Sequence, residues 1–238
     1  MAPMIQNQSN SNFSRAFLAK TYFWLAIQLL ITFNISAYIA YDQRIGEMLY
    51  LGHFGNLKVP SPILILLFLS VIAIIISSFR RSVDNMFEHL YLKAVLSITL
   101  VGIFTSIFWY TYDNSSILHI LGLTCLMFAI LSVVSVIFTR MALKFAYISS
   151  YLLTILFWMI YTNFLIIKTS SFSLAVTLFG VLVFSVVIFT DTAIYKYIYQ
   201  RVKEEDREKF AFMAASGLYW NFVNIFVRLL NIFGSKKK

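Results

Sequence analysis

A single cysteine, Cys125, rules out an intramolecular disulfide and a cysteine-held metal cluster. Its place inside an apolar run makes it a small packing residue. Charged residues are scarce, at 12% of the chain, and turn formers are scarcer, with three prolines and eight glycines in 238 residues. No Gly-x-Ser-x-Gly turn, no His-Glu-x-x-His pair and no phosphate-cradling Gly-rich loop is present, so neither an enzyme nor a cofactor is expected. His53, His89 and His119 have no carboxylate or cysteine at ligand spacing, which makes them surface or interface residues.

What fills the chain is apolar: 60% of the residues, with a mean hydropathy of +0.81. That balance excludes a water-soluble globular domain. A net charge of +9 would suit a nucleic-acid partner, but the basic residues fall in short loops and helix ends and form no single stripe. Lipid is the expected solvent. A bilayer core of about 30 Å takes about 20 apolar residues per helix, and the apolar runs fall at 17–40, 62–79, 90–110, 117–138, 145–167, 172–190 and 212–233. Residues 1–16 form a polar Asn/Ser-rich N-terminal segment, and 17–238 form one helical bundle domain. The first run is too long for a cleavable signal peptide and is expected to remain as a span. The fold class is therefore an all-α integral membrane protein, a seven-helix bundle. The alternative is six spans plus a re-entrant C-terminal segment.

Lysine and arginine are retained on the cytoplasmic side of a membrane. With the N-terminus inside, inner segments hold twelve of them (Arg15, Lys20, Arg80, Arg81, Lys93, Arg140, Lys144, Lys196, Arg201, Lys203, Arg207 and Lys209), and outer loops hold Arg44, Lys58 and Lys168. A full seventh span would leave Lys236 to Lys238 outside, against that rule, whereas a re-entrant segment would return them. Phe210 to Phe233 is long enough to cross.

A charge inside hydrocarbon costs a few kcal/mol on insertion scales and is a functional candidate by default. Asp191 stands at the cytoplasmic end of the sixth predicted helix and Arg228 lies within the seventh. The seventh carries Gly217, Asn221, Asn224, Arg228 and Asn231 at spacings of four, three, four and three, which is one helical face. Amides facing lipid would be unsatisfied, so that face is expected to turn toward the bundle centre. It serves either as interhelical hydrogen-bond glue or as a polar pathway for ions or protons.

The stretch Phe184-Ser185-Val186-Val187-Ile188-Phe189-Thr190-Asp191-Thr192, followed by Leu218-Tyr219-Trp220-Asn221-Phe222-Val223-Asn224-Ile225-Phe226 and by Leu229-Leu230 to Gly234, resembles the transmembrane Bax inhibitor motif family. The resemblance implies a seven-helix fold with a central polar last helix and, in bacterial members, a pH-sensitive calcium leak, with Ca2+ as the transported ion. It also implies two aspartates sharing a proton near the cytoplasmic mouth, and an arginine at the end of the second helix that engages the first of them. Asp191 matches the first aspartate and Arg80 the arginine. Asn221 stands where the family pattern has the second aspartate. Only one member of an Asp–Asn pair titrates, so a shared-proton switch is not available to it. Asp191 is expected to pair with Arg80 or Arg228 as a latch.

Two functions are compatible with these features. One is an ion leak of the Bax inhibitor type, gated at Asp191 and lined by Asn221, Asn224 and Arg228. The other is a non-conducting membrane regulator that binds membrane proteins such as a quality-control protease. The expected location is a bacterial cytoplasmic (inner) membrane with the N-terminus cytoplasmic, and a eukaryotic endomembrane is the alternative.

Overall fold

A computed structural model of the chain describes residues 2–42, 44, 45, 50–54, 57–60, 69, 90–165 and 170–237. The elements are α1 (Ala2–Tyr41), β1 (Tyr50–Phe54), β2 (Leu57–Pro60), α2 (Leu90–Thr111), α3 (Asn114–Ile137), α4 (Thr139–Leu165), α5 (Ser170–Tyr199), a 3-10 turn (Glu204–Asp206) and α6 (Arg207–Phe233). Six helices among the described residues are long and apolar enough to cross a membrane. The predicted run at 62–79, with Arg80, Arg81 and His89, lies outside the described residues. α5 and α6 are the sixth and seventh predicted helices.

This architecture adds two features to the sequence reading and corrects a third point. First, the polar N-terminal head is helical and continuous with the first span, because its Asn and Ser residues are interspersed with helix-compatible residues and no proline follows Pro3. Second, the loop after α1 holds an antiparallel hairpin, pairing His53 with Lys58 and Phe54 with Leu57 and bulged between Tyr50 and Gly52. Third, α5 does not end at residue 190 but runs on to Tyr199. The extension Ala193-Ile194-Tyr195-Lys196 contains no breaker, and Lys196 places a cation in the last turn, where it suits the helix dipole.

The chain divides into two compact units: residues 1–25 with 118–234, and residues 26–117 with 235–238. In the first, α4 packs on α5 through Leu156, Val176, Val183 and Val187. α5 in turn packs on α6. α6 is the most buried candidate span, 56% of its apolar window against 11% for α4. The start of α1 joins through Phe17 against Tyr199 and Trp24 against Phe212, at ring separations of 5.2 and 5.1 Å. Tyr147, Tyr151 and Phe157 on α4 are exposed, an arrangement that suits lipid and not water.

In the second unit, the later part of α1 lies beside α2. A Cβ on Gly102 would stand 2.8 Å from Ile35 Cγ2 and 3.2 Å from the Thr32 carbonyl oxygen, so glycine permits the close approach. Trp109 Nε1 donates to Ser36 Oγ at 3.0 Å, and the Tyr110 hydroxyl donates to the Ile39 carbonyl at 3.2 Å. These pairs advance together along both helices, so α1 and α2 run parallel. At their shared C-terminal end, Asn114 Nδ2 donates to the Tyr41 hydroxyl. The tail after α6 reaches the same turn: the Asp113 amide donates to the Ser235 carbonyl and the Lys237 amide to the Thr111 carbonyl, at 2.9 and 3.0 Å.

Candidate functional site

The seam between α5 and α6 carries the polar residues of both helices. Because the helices are antiparallel, contacts that climb α6 descend α5. Gly217 meets Tyr195, Asn221 meets Asp191, and Arg228 meets Phe184 and Gly180. On α5 the partners fall at 180, 184, 191 and 195, one face at helical spacing.

Asn221 Nδ2 donates to Asp191 Oδ2 at 2.9 Å. The amide is buried, 7% exposed, and among the described residues no cation lies within ion-pair distance of the carboxylate. Gly217 matters to this geometry because a Cβ there would occupy the position of the Tyr195 hydroxyl, one turn beyond Asp191. Asp191 is not at the helix terminus. α5 continues eight residues past it, about 12 Å, so the carboxylate stands inside the span.

Arg228 occupies the other half of the seam. Its guanidinium donates through Nη1 to the Val176 carbonyl at 3.3 Å and lies 5.5 Å from the Phe184 ring centroid. A Cβ on Gly180 would fall on the guanidinium itself, so the missing side chain is the space that Arg228 fills. The expected Asp191–Arg228 latch therefore does not form. Asn221, the partner of Asp191, and Arg228 lie seven apart on α6, about 10 Å along the axis. Arg80, the other candidate partner, lies outside the described residues.

The predicted stripe is only partly a seam. Asn224 Nδ2 donates back to the Trp220 carbonyl of its own helix at 2.8 Å, and Asn231 is exposed. A face defined by steps of three and four drifts around the helix, and Asn224 bonds within α6. Sequence reasoning missed Gly180, Phe184 and Tyr195. The signal was their spacing from Asp191, which places a small residue and two aromatics on the carboxylate's face of α5.

The surroundings remain polar on the α1 and α3 sides. Ser132 and Thr192 are buried, and their hydroxyls are enclosed together with that of Tyr22, which faces both. Ser135 Oγ donates to the Phe189 carbonyl at 2.5 Å, tying α3 to α5 two residues before Asp191. Among the described residues, no three His, Cys, Asp or Glu side chains gather in a metal-binding cluster.

The family described as inhibitor of apoptosis-promoting Bax1 matches this chain over residues 14–238. The inner membrane protein YbhL of Escherichia coli strain K12 is 26% identical over 226 residues, covering 94% of this chain and 93% of YbhL. YbhL of E. coli O6:H1 strain CFT073 gives the same figures. A shorter similarity, 36% over 74 residues and 31% of each chain, relates it to the uncharacterised protein RP147 of Rickettsia prowazekii.

Proposed function

From the premise that this chain belongs to the Bax inhibitor family, we propose that it is a seven-span inner-membrane protein whose α5–α6 seam forms the gate of a calcium leak. The observation that carries the reading is the hydrogen bond from Asn221 Nδ2 to Asp191 Oδ2 at 2.9 Å, a direct contact between the two positions of the family's paired acids. Asp191 is the gate and Asn221 its fixed partner. The hydroxyls of Tyr22, Ser132 and Thr192 continue the polar track beside it.

Two features support seven spans. Because α1 and α2 run parallel, the chain between them has to return across the bilayer if both are spans, and the apolar run at 62–79 has the length for it. The C-terminal tail is bonded to the turn between α2 and α3, which the distribution of lysine and arginine assigns to the outer side. α6 then crosses fully as the central polar helix, with the N-terminus cytoplasmic and Lys236 to Lys238 outside. Its unbroken 27 residues, about 40 Å, favour this over a re-entrant segment. The inner-membrane location rests on the similarity to YbhL.

The Asp–Asn pair has one titrating member, so the leak lacks a shared-proton switch. Calcium release from dye-loaded liposomes tests the function: the wild type releases calcium and Asp191→Asn changes the rate. Absence of flux from both proteins at every pH would overturn conduction.

One observation favours the second reading, a non-conducting regulator that binds membrane proteins such as a quality-control protease. Arg228 fills the seam at Gly180 and places a positive charge where a cation would pass. Under this reading the seam is structural, and cross-linking in native membranes recovers a stoichiometric partner while liposomes show no flux.

A further inference from the structure

At the opposite end of the first unit from Arg228, the turn joining α3 to α4 encloses a cleft of about 480 Å³. Val136, Ile137, Phe138, Thr139, Arg140, Met141 and Lys196 line it. Two cations from different helices share this cleft. Lys196 on α5 donates from Nζ to the Val136 carbonyl and to Thr139 Oγ1, both at 3.1 Å. An ammonium has three protons, so one remains for a further acceptor. Arg140 is exposed, and among the described residues no carboxylate pairs with it or with Lys196. The acidic side chains of the neighbouring charged segment are engaged elsewhere: Glu204 with Arg207, Glu205 with Lys203, Asp206 with Lys209 and Glu208 with Lys20.

The rim of the cleft is apolar and outward-facing, with Ile137, Phe138 and Met141 exposed by 67, 54 and 52%. A soluble anion has no use for such a rim, whereas a phosphate that carries acyl chains does. The first turn of α4 adds its N-terminal dipole on the same side. Lys144 lies one turn further along α4, exposed and able to hold a second phosphate oxygen or snorkel.

We propose that this cleft binds the phosphate headgroup of an anionic phospholipid of the cytoplasmic leaflet, with Arg140 as its bidentate donor, Lys196 as its point charge, and Ile137, Phe138 and Met141 against the acyl chains. The leaflet assignment rests on the topology proposed above, but binding does not depend on conduction. A failed flux assay leaves the site standing, and a failed binding assay leaves the leak standing.

The test is thermal unfolding of the full chain in neutral detergent, titrated with phosphatidylglycerol, phosphatidylcholine or inorganic phosphate. Phosphatidylglycerol is expected to raise the midpoint of the wild type. The concentration required should rise about tenfold in Arg140→Gln, the factor of one lost charge-assisted contact, and stay unchanged in Arg44→Gln, a cation at the other end of the chain's topology. Lys196→Gln should weaken lipid binding as well, with a lowered starting midpoint because it also loses the Val136 carbonyl. Equal titrations for wild type, Arg140→Gln and Lys196→Gln would overturn the site. A shift reproduced by phosphatidylcholine would make the effect nonspecific and overturn it too, and one reproduced by inorganic phosphate would replace the lipid with a soluble anion.

Discussion

The two halves of the α5–α6 seam solve the same problem with opposite charges. In one, a carboxylate is met by an amide, Asp191 with Asn221. In the other, a guanidinium is met by a carbonyl and a ring, Arg228 with Val176 and Phe184. Neither half uses the other's charge, although a direct ion pair would be the simplest way to keep both in a membrane. An Asp–Arg pair would tie the two halves together, whereas the amide gives the carboxylate a hydrogen-bond partner without neutralising its charge.

That contrast can be broken from either half. The largest stability effect is expected for Asn221→Leu, which leaves the carboxylate without its buried donor. A lost hydrogen bond to a charged group is worth about 1.5–3 kcal/mol, and detergent unfolding should show a loss of that order. Gly180→Leu comes next. It places a side chain on the Arg228 guanidinium and should cost about 1–3 kcal/mol by overpacking. Gly180→Ala should cost less than Gly180→Leu in the same assay, because a flexible guanidinium can withdraw from one methyl group. The smallest effect belongs to Lys20→Gln. Its contact with Glu208 spans 3.6 Å between side chains that are 45 and 61% exposed, and pairs of that kind contribute at most about 1 kcal/mol before solvent screening. If Gly180→Leu and Asn221→Leu were both as mild as Lys20→Gln, the seam would not be the close-packed, hydrogen-bonded contact described above.

The spans were legible in the sequence because lipid imposes a length, and the six described helices fall on six of the seven predicted runs. Asp191 and Asn221 were picked out through the motif that contains both, but the partner expected for Asp191 was a cation, and the one it has is the Asn221 amide. The helix ends were not legible. Residues 191–199 are polar enough to look like a boundary yet contain nothing that stops a helix, so α5 carried Asp191 deeper than hydropathy suggested. Gly180 and Arg228 lie far apart in sequence and meet only through the antiparallel register of two helices, which periodicity within one helix cannot reveal.

Central to the proposed function is that Asn221 stands where the family pattern has a second acid, so that the proposed gate has no shared-proton switch. Calcium release from liposomes should therefore be measured across about pH 3–8, a window that brackets ordinary carboxylate and histidine titrations, for the wild type and for Asn221→Asp. The variant restores two carboxylates in contact, which release their protons in two separated steps. The account predicts a steeper pH dependence in Asn221→Asp than in the wild type. Superimposable pH profiles for the two proteins would contradict it.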